Sequence, residues 1–323
     1  MALPALLEGQ LRLPLIGAPM FIVSCPELVV AQCTAGIVGA FPALNARPQA
    51  LLDDWLTDIR QRLDVYREQH PDEPVAPFAV NQIVHRSNSR LHEDLDTCVR
   101  HEVPIVITSL QPPADVVAAV HAYGGVVFHD VINLRHAHKA IEQGVDGLIA
   151  VCAGAGGHGG TLSPFALVKE LRREFDGTIV LSGAMSNGAD ILAAEAMGAD
   201  LAYFGTRFIA AEEANAADAY KGMIVEGAAA DIVYTPRFTG VHGNYLKQSV
   251  RNAGLDPDAL AGDDKATVGF DKREDSAAKA WRDIWSAGQG VGSIDEVLPA
   301  RALVLRLEAE YRAARARFGA AAG

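Results

Sequence analysis

His158 is the residue whose type and surroundings are best suited to chemistry. It lies in the run Val145 to Gly160, VDGLIAVCAGAGGHGG, where an apolar stretch gives way to a loop with five glycines in the nine residues from Cys152 to Gly160. An imidazole has an ordinary pKa of about 6.5, so it can take a proton or present a charged donor near neutral pH. The glycines free the backbone for φ > 0 and let main-chain amides press against a ligand. The plainer alternative is an ordinary tight turn before the next helix, with His158 capping a neighbouring group.

The elements that must hold this loop repeat one grammar: a short apolar run, a loop, an amphipathic segment, a glycine, and the next apolar run. Leu15 to Ala18 reads as a first strand, Glu27 to Ala35 as a helix, Gly36 as its C′ residue and Ile37 to Phe41 as a second strand. A helix from Gln49 to about Glu68 and a proline-rich hinge, His70 to Pro77, lead to the third strand, Phe78 to Asn81. Pro104 to Thr108, Val126 to His129, Leu148 to Val151, Thr178 to Leu181 and Leu201 to Phe204 supply five more, with Asp115 to Ala122 helical between the first two of these. Two units echo each other, ending helices on Gly144 and Gly198 and entering strands through Asp146 and Asp200. Ser163 is expected as an N-cap with Pro164 at N1, and Phe165, Val168, Leu171 and Phe175 as one helical face. Eight strands with short helical crossovers, complete by about residue 206, predict a (β/α)8 TIM barrel rather than an open sheet.

Beyond Thr206 the pattern lapses. Residues 210–280 read as an inserted, mainly helical lid, with Ala210 to Gly227 helical, Asp231 to Val250 mixed and Asn252 to Asp275 acidic and loop-like. Trp281 to Trp285 then leads into a second glycine-rich loop, Ser286 to Gly292, and a last helix with Leu298, Ala302, Leu305 and Leu307 as its expected apolar face. The domain reading is therefore a barrel from residues 1–209 and 281–323, interrupted by the lid.

Barrel chemistry collects in the loops after the strands. Those positions hold Ala18, Pro19 and Met20; Asn81; Ser109; His129 and Asp130; Gly156, Gly157 and His158; Ser182, Gly183 and Ala184; and Gly205, Thr206 and Arg207. The last two groups are glycine turns where a phosphate can accept from backbone N–H groups, so a phosphorylated cofactor is expected there. The stretch Gly154 to Gly159 satisfies G-x-G-x-x-G, but five strands precede it, and the following strand ends in Ser182 rather than the carboxylate a dinucleotide fold requires.

Composition narrows the partners. The 323 residues are 50% hydrophobic with a formal charge of −12 and no basic run, which argues against nucleic acid. No apolar stretch approaches the ~20 residues of a membrane span and no leader is evident, so a cytoplasmic location is expected. Cys25, Cys33, Cys98 and Cys152 lack metal-site spacing and are expected as free thiols, with no metal site.

As a set, Ala18-Pro19-Met20, Asn81, AGGHGG around His158, SGA before Asn187-Gly188, AYFGTRF at 202–208, TGVHGNYLKQSV at 239–250 and SAGQGVG at 286–292 resemble the nitronate monooxygenase family, also called 2-nitropropane dioxygenases. The resemblance implies an FMN-dependent barrel that oxidises alkyl nitronates with O2 to carbonyl compounds and nitrite. It implies His158 as the catalytic residue, and Ala18, Pro19, Met20, Asn81, His129, Gly156, Gly157, Ser182, Gly183, Ala184, Phe204, Gly205, Thr206 and Gln289 around the cofactor, in a chain that could pair as a homodimer. Four positions depart from the family pattern: Val151 stands for a glutamine, Gly154 for a glutamate, Asp130 for a lysine and Ala184 for a glycine. NAD(P)H-dependent quinone and enoyl reductases share this flavin barrel and are the alternative activities. A flavin-binding barrel without catalysis is a third reading.

Overall fold

In the computed structural model, which describes residues 3–260 and 284–320, eight parallel strands run β1 (Leu15–Gly17), β2 (Gly39–Pro42), β3 (Phe78–Val84), β4 (Ile105–Leu110), β5 (Val126–Val131), β6 (Gly147–Val151), β8 (Thr178–Ser182) and β9 (Leu201–Phe204). Their order is β1-β9-β8-β6-β5-β4-β3-β2, and a parallel bridge between Ile16 and Val38 joins the two ends into a barrel. All eight strands fall where the apolar runs predict them. The short strand β7 (Gly157–His158) belongs instead to a separate antiparallel sheet, β10 (Ile232–Thr235), β11 (Gly243–Leu246) and β7.

Two cores follow from the alternation of side chains along each strand. Ile16, Ala79, Ile105, Ile107, Phe128, Ile149, Val180 and Leu201 fill the barrel interior, and Leu7 of a 3-10 turn, Ala5–Leu7, belongs to the same cluster. The opposite strand faces, with Val80, Val106, Val127, Leu148 and Leu181, pack against the helices in a larger outer core. Because both faces are buried, these strands read as unbroken apolar runs rather than alternating ones.

Gly144 and Gly198 adopt positive φ, 82° and 105°, as the repeated helix-to-strand unit predicts. A helix absent from the sequence reading, Leu91–Arg100, connects β3 to β4; its buried positions include Asp94 and Thr97 as well as Leu95 and Cys98, so its apolar stripe is too thin to register. Asp94 is held by Arg90 at 2.9 Å. Ser163 is an N-cap with Pro164 at N1, but Phe165 is 66% exposed and the buried face is Leu167, Val168 and Leu171. In the last helix, Ala300–Ala320, Leu303, Val304 and Leu307 are buried and Leu305 is exposed, a shift of the expected stripe.

Within 210–260, helix is confined to Asp218–Glu226, a 3-10 turn at Ala229–Asp231 and Lys247–Asn252; residues 210–217, expected as helix, form none. Trp281 and the acidic stretch beyond residue 260 lie outside the described residues. Among the described residues, no helix is long and apolar enough to cross a membrane.

Candidate active site

The top layer of the barrel interior, at the carboxyl ends of the strands, is polar where the layers beneath it are not. Side chains alternate, so those two residues beyond the interior-facing Ala79, Ile107, Phe128, Val180 and Leu201 also point inward: Asn81, Ser109, Asp130, Ser182 and Tyr203. Asn81 Nδ2 donates to Ser109 Oγ at 2.9 Å, and Ser109 Oγ donates to Asp130 Oδ2 at 2.6 Å. Burial pushes the Asp130 carboxyl up to about 6, against the lowering effect of the Ser109 bond, and Tyr203 is raised by burial and by Asp130.

His129 lies one residue out of phase. It alternates with Phe128 onto the helix-facing side, where its Nδ1 meets Thr108 Oγ1 at 2.8 Å, and burial, helped by His136, pushes it down to about 4. Its ring therefore packs on the helix-facing side, and of this strand-end pair it is Asp130 that faces the mouth.

Four chain segments meet over the mouth by close backbone approach. A Cβ placed on Gly156 would lie 2.8 Å from Gly288 N and 3.2 Å from Thr206 Oγ1, and one on Gly290 would lie 2.6 Å from Ser186 Oγ and 2.8 Å from Ala184 C. Thr206 Oγ1 accepts from Gly288 N at 2.8 Å, Gly154 O accepts from Gln289 N at 2.8 Å and from Ala184 N at 3.3 Å, and Ser186 Oγ donates to Gly290 O at 2.8 Å. The loop of His158, the turns after β8 and β9, and the late loop at 286–292 thus form one cluster. Ala18 joins it through its amide to Phe204 O at 2.8 Å, and Met20 approaches Gly205, with Met20 and Ser24 carbonyls held by Asn45.

The turn after β8 runs through Gly183 at φ 138° and Ala184 at φ 54°, a left-handed conformation that an alanine adopts at some cost and a glycine does not. The helix that follows, Gly188–Met197, is closed to an anion: Asn187 and Asp190 form a capping box, Asp190 also accepts from Ser186 N, and Gly188 N donates to Glu310. A phosphate in these turns would draw on the backbone of Gly183, Gly205 and Thr206, the Ala184 N–H being given to Gly154 O. Open space remains beside Gly157, where a Cβ would meet nothing within 4 Å, whereas one on Gly205 would touch Ala18 Cβ at 3.6 Å and Met20 Sδ at 3.8 Å. Backbone N–H groups at the Gly205–Thr206 turn, with the polar mouth layer beside them, suit a phosphate and the flat ring system attached to it.

His158 is not held by the barrel. Gly157 and His158 pair antiparallel with Asn244 and Gly243. His158 Nε2 lies 2.8 Å from Thr239 Oγ1, Asn244 Nδ2 donates to Ala155 O at 2.7 Å, and Tyr234 OH donates to Gly159 O at 2.9 Å. His242 stacks on Tyr234 at 5.1 Å between centroids, and its carbonyl accepts from Gly159 N. The insertion thus clamps the glycine loop on both sides of the histidine. Burial lowers the pKa of His158, which leaves the ring neutral at pH 7. Sequence reasoning flagged TGVHGNYLKQSV as a unit but not the roles of Thr239, Tyr234 and Asn244; their separation from His158 by about 80 residues carries no local signal.

The remaining departures fit this geometry. Val151 continues the interior face of β6 beyond Ile149, and Gly154 has φ 82° with space for a Cβ only 2.9 Å from Gln289 Oε1 and 3.0 Å from Ala184 Cβ, so a larger residue would displace the late loop.

The barrel matches FabK from Thermotoga maritima with a TM-score of 0.77 and 24% identity, covering 98% of this chain and 97% of that one. It also matches a nitroalkane oxidase from Streptomyces ansochromogenes, with a TM-score of 0.76, 25% identity and coverage of 97% and 100%. A nitronate monooxygenase from Paraburkholderia phytofirmans is 30% identical over 93% of this chain and 92% of its own length. Barrel, mouth and relatives together define an oxidoreductase that works with a flavin. The model of the nitronate monooxygenase family matches residues 7–310, and the chain belongs to that family.

Proposed function

We propose that the protein is an FMN-dependent nitronate monooxygenase that oxidises alkyl nitronates, and nitroalkanes after loss of an α-proton, with O2 to carbonyl compounds and nitrite. The observation that carries this reading is His158, half-buried, its pKa lowered by desolvation, with Nε2 2.8 Å from Thr239 Oγ1 and its backbone paired with Gly243 of the insertion in the glycine loop. FMN, when bound, supplies the electron transfer and the reaction with O2. The cup at Gly183, Ala184, Gly205 and Thr206 would hold its phosphate; Asn81, Gly156, Gly157, Ser182 and Gln289 would line its ring system.

His158 has two tasks available. Toward a preformed nitronate the protonated ring is a hydrogen-bond donor that offsets the negative charge of the nitro oxygens; in the neutral ring the single N–H, at Nε2, faces Thr239 Oγ1, whose own proton goes to Val241 O. Toward a neutral nitroalkane it is the base that takes the α-proton, for which the neutral ring must already be present. The hydrogen bond between His158 Nε2 and Thr239 Oγ1 restricts the orientation of the ring.

The first test is chemical. Cofactor released by acid from the purified protein is expected to be FMN, and anaerobic addition of a nitronate is expected to bleach it faster than NADH or NADPH does. Release of NAD, or of no flavin, would remove the reading; bleaching by the nicotinamides alone would favour a reductase on the same barrel. The second test is pH. Because burial lowers the His158 pKa, kcat/KM for a neutral nitroalkane is expected to rise with pH through a midpoint below 6.5 and then level, as the base form appears. With a preformed nitronate, which needs no base, that limb is absent. A midpoint above 6.5 would assign the proton to another group.

A further inference from the structure

The polar row at the mouth has a direction. Asn81 Nδ2 lies 3.2 Å from Ile107 O, an oxygen that only accepts, so this atom is the amide nitrogen and not its oxygen. Its second N–H points to Ser109 Oγ at 2.9 Å. The Ser109 hydroxyl, accepting from Asn81, gives its own proton to Asp130 Oδ2 at 2.6 Å. Both amide hydrogens of Asn81 are thereby directed into the wall, and its Oδ1 has no hydrogen-bond partner among the described residues. Asp130 Oδ1 is shielded from solvent and without a hydrogen bond, so the carboxyl is held through Oδ2 by Ser109.

We propose that Asp130, acting through Ser109, is a positioning residue that fixes the Asn81 amide with its oxygen toward the mouth, so that the site takes a ligand edge that donates an N–H. The inference rests on the FMN reading, since the N–H of a flavin's pyrimidine ring is a donor of that kind. It is a property of this chain: the lysine that the family resemblance puts at position 130 carries only donors and could not accept from Ser109. Tyr203, raised above its ordinary value, and His129, pushed down to about 4 on the opposite face of β5, do not reverse the row between pH 5 and 8; Asp130 itself, raised to about 6, accepts from Ser109 as a carboxylate above that pH, where the row holds.

The test is a mutant cycle on FMN affinity, read by quenching of flavin fluorescence on titration of the apoprotein, with the melting temperature of each apoprotein recorded beside it. Ser109→Ala and Asp130→Ala are each expected to weaken FMN binding about tenfold, the worth of one hydrogen bond made by a buried polar group. Ser109→Thr, which keeps the hydroxyl, should stay within about twofold of the unchanged protein. In an Asn81→Ala background the Ser109→Ala penalty should vanish, because the row no longer has an amide to hold. A penalty of the same size in that background, or none in either, overturns the positioning role and leaves the FMN reading intact. Failure of the unmodified apoprotein to bind FMN overturns that reading and this inference with it.

Discussion

His158→Ala is expected to retain FMN and to lose about 10²–10⁴-fold in kcat/KM for nitroalkanes, the usual contribution of a general base and equal to about 3–5 kcal/mol of barrel-mouth stabilisation of the transition state. The ring is held by Thr239 of the insertion, away in the chain from the turns of the proposed phosphate site, so cofactor content should hold while turnover falls. His158→Asn distinguishes the two tasks. Asparagine donates a hydrogen bond but cannot take a proton, so activity with a preformed nitronate should survive better than activity with the neutral nitroalkane. Thr239→Val should lie between, because it frees the ring without removing it; Thr239 Oγ1 meets His158 Nε2 at 2.8 Å and also donates to Val241 O. Steady-state kinetics with both substrates at matched flavin content checks all three variants. Unchanged activity in His158→Ala would return this histidine to a role in loop structure and shift the search for the substrate away from nitronates.

The second large effect is expected at Thr206. Its hydroxyl is buried and accepts from Gly288 N at 2.8 Å, tying the late loop to the turn after β9. Thr206→Glu puts a carboxylate beside the proposed phosphate. Two like charges about 4 Å apart at an effective dielectric near 20 repel by about 4 kcal/mol, so FMN affinity should fall about a thousandfold. Thr206→Val removes the hydroxyl without adding charge and should cost only about 1 kcal/mol in stability, which separates loop docking from electrostatics. Apoprotein titration with FMN, with circular dichroism to confirm folding, reads both. Full FMN occupancy in Thr206→Glu would move the phosphate elsewhere.

The tenancy of the top interior layer also bears on the four departures from the family pattern. Asp130 and Val151 lie on the inner face and Gly154 and Ala184 on the loops that close over it, so all four change the walls of one space. None of them interrupts the barrel. The substitution at 130 exchanges a fixed cation for a carboxyl that burial raises to about 6, which lowers the positive charge at the mouth.

By itself the sequence determined the eight strands and their order along the chain, because parallel strands buried on both faces are short apolar runs bounded by glycine and are hard to mistake for anything else. The glycines of the loop at Gly156 and Gly157 and of the turn at Gly183 were legible as well, because a positive φ at Gly157 and Gly183 and a close backbone approach at Gly156 admit few other residues. Only the tertiary structure decided which side each strand-end residue faces. His129 and Asp130 are adjacent, and in a strand with two buried faces no polar alternation marks the inward one; the packing of Phe128 inside the barrel turns His129 out and Asp130 in. The partners of His158 were likewise decided in three dimensions. Thr239, Gly243 and Asn244 reach it through pairing of β7 with β11, and contacts between strands so far apart in the chain are set by the closing of the whole barrel under the insertion, not by any pattern local to either segment.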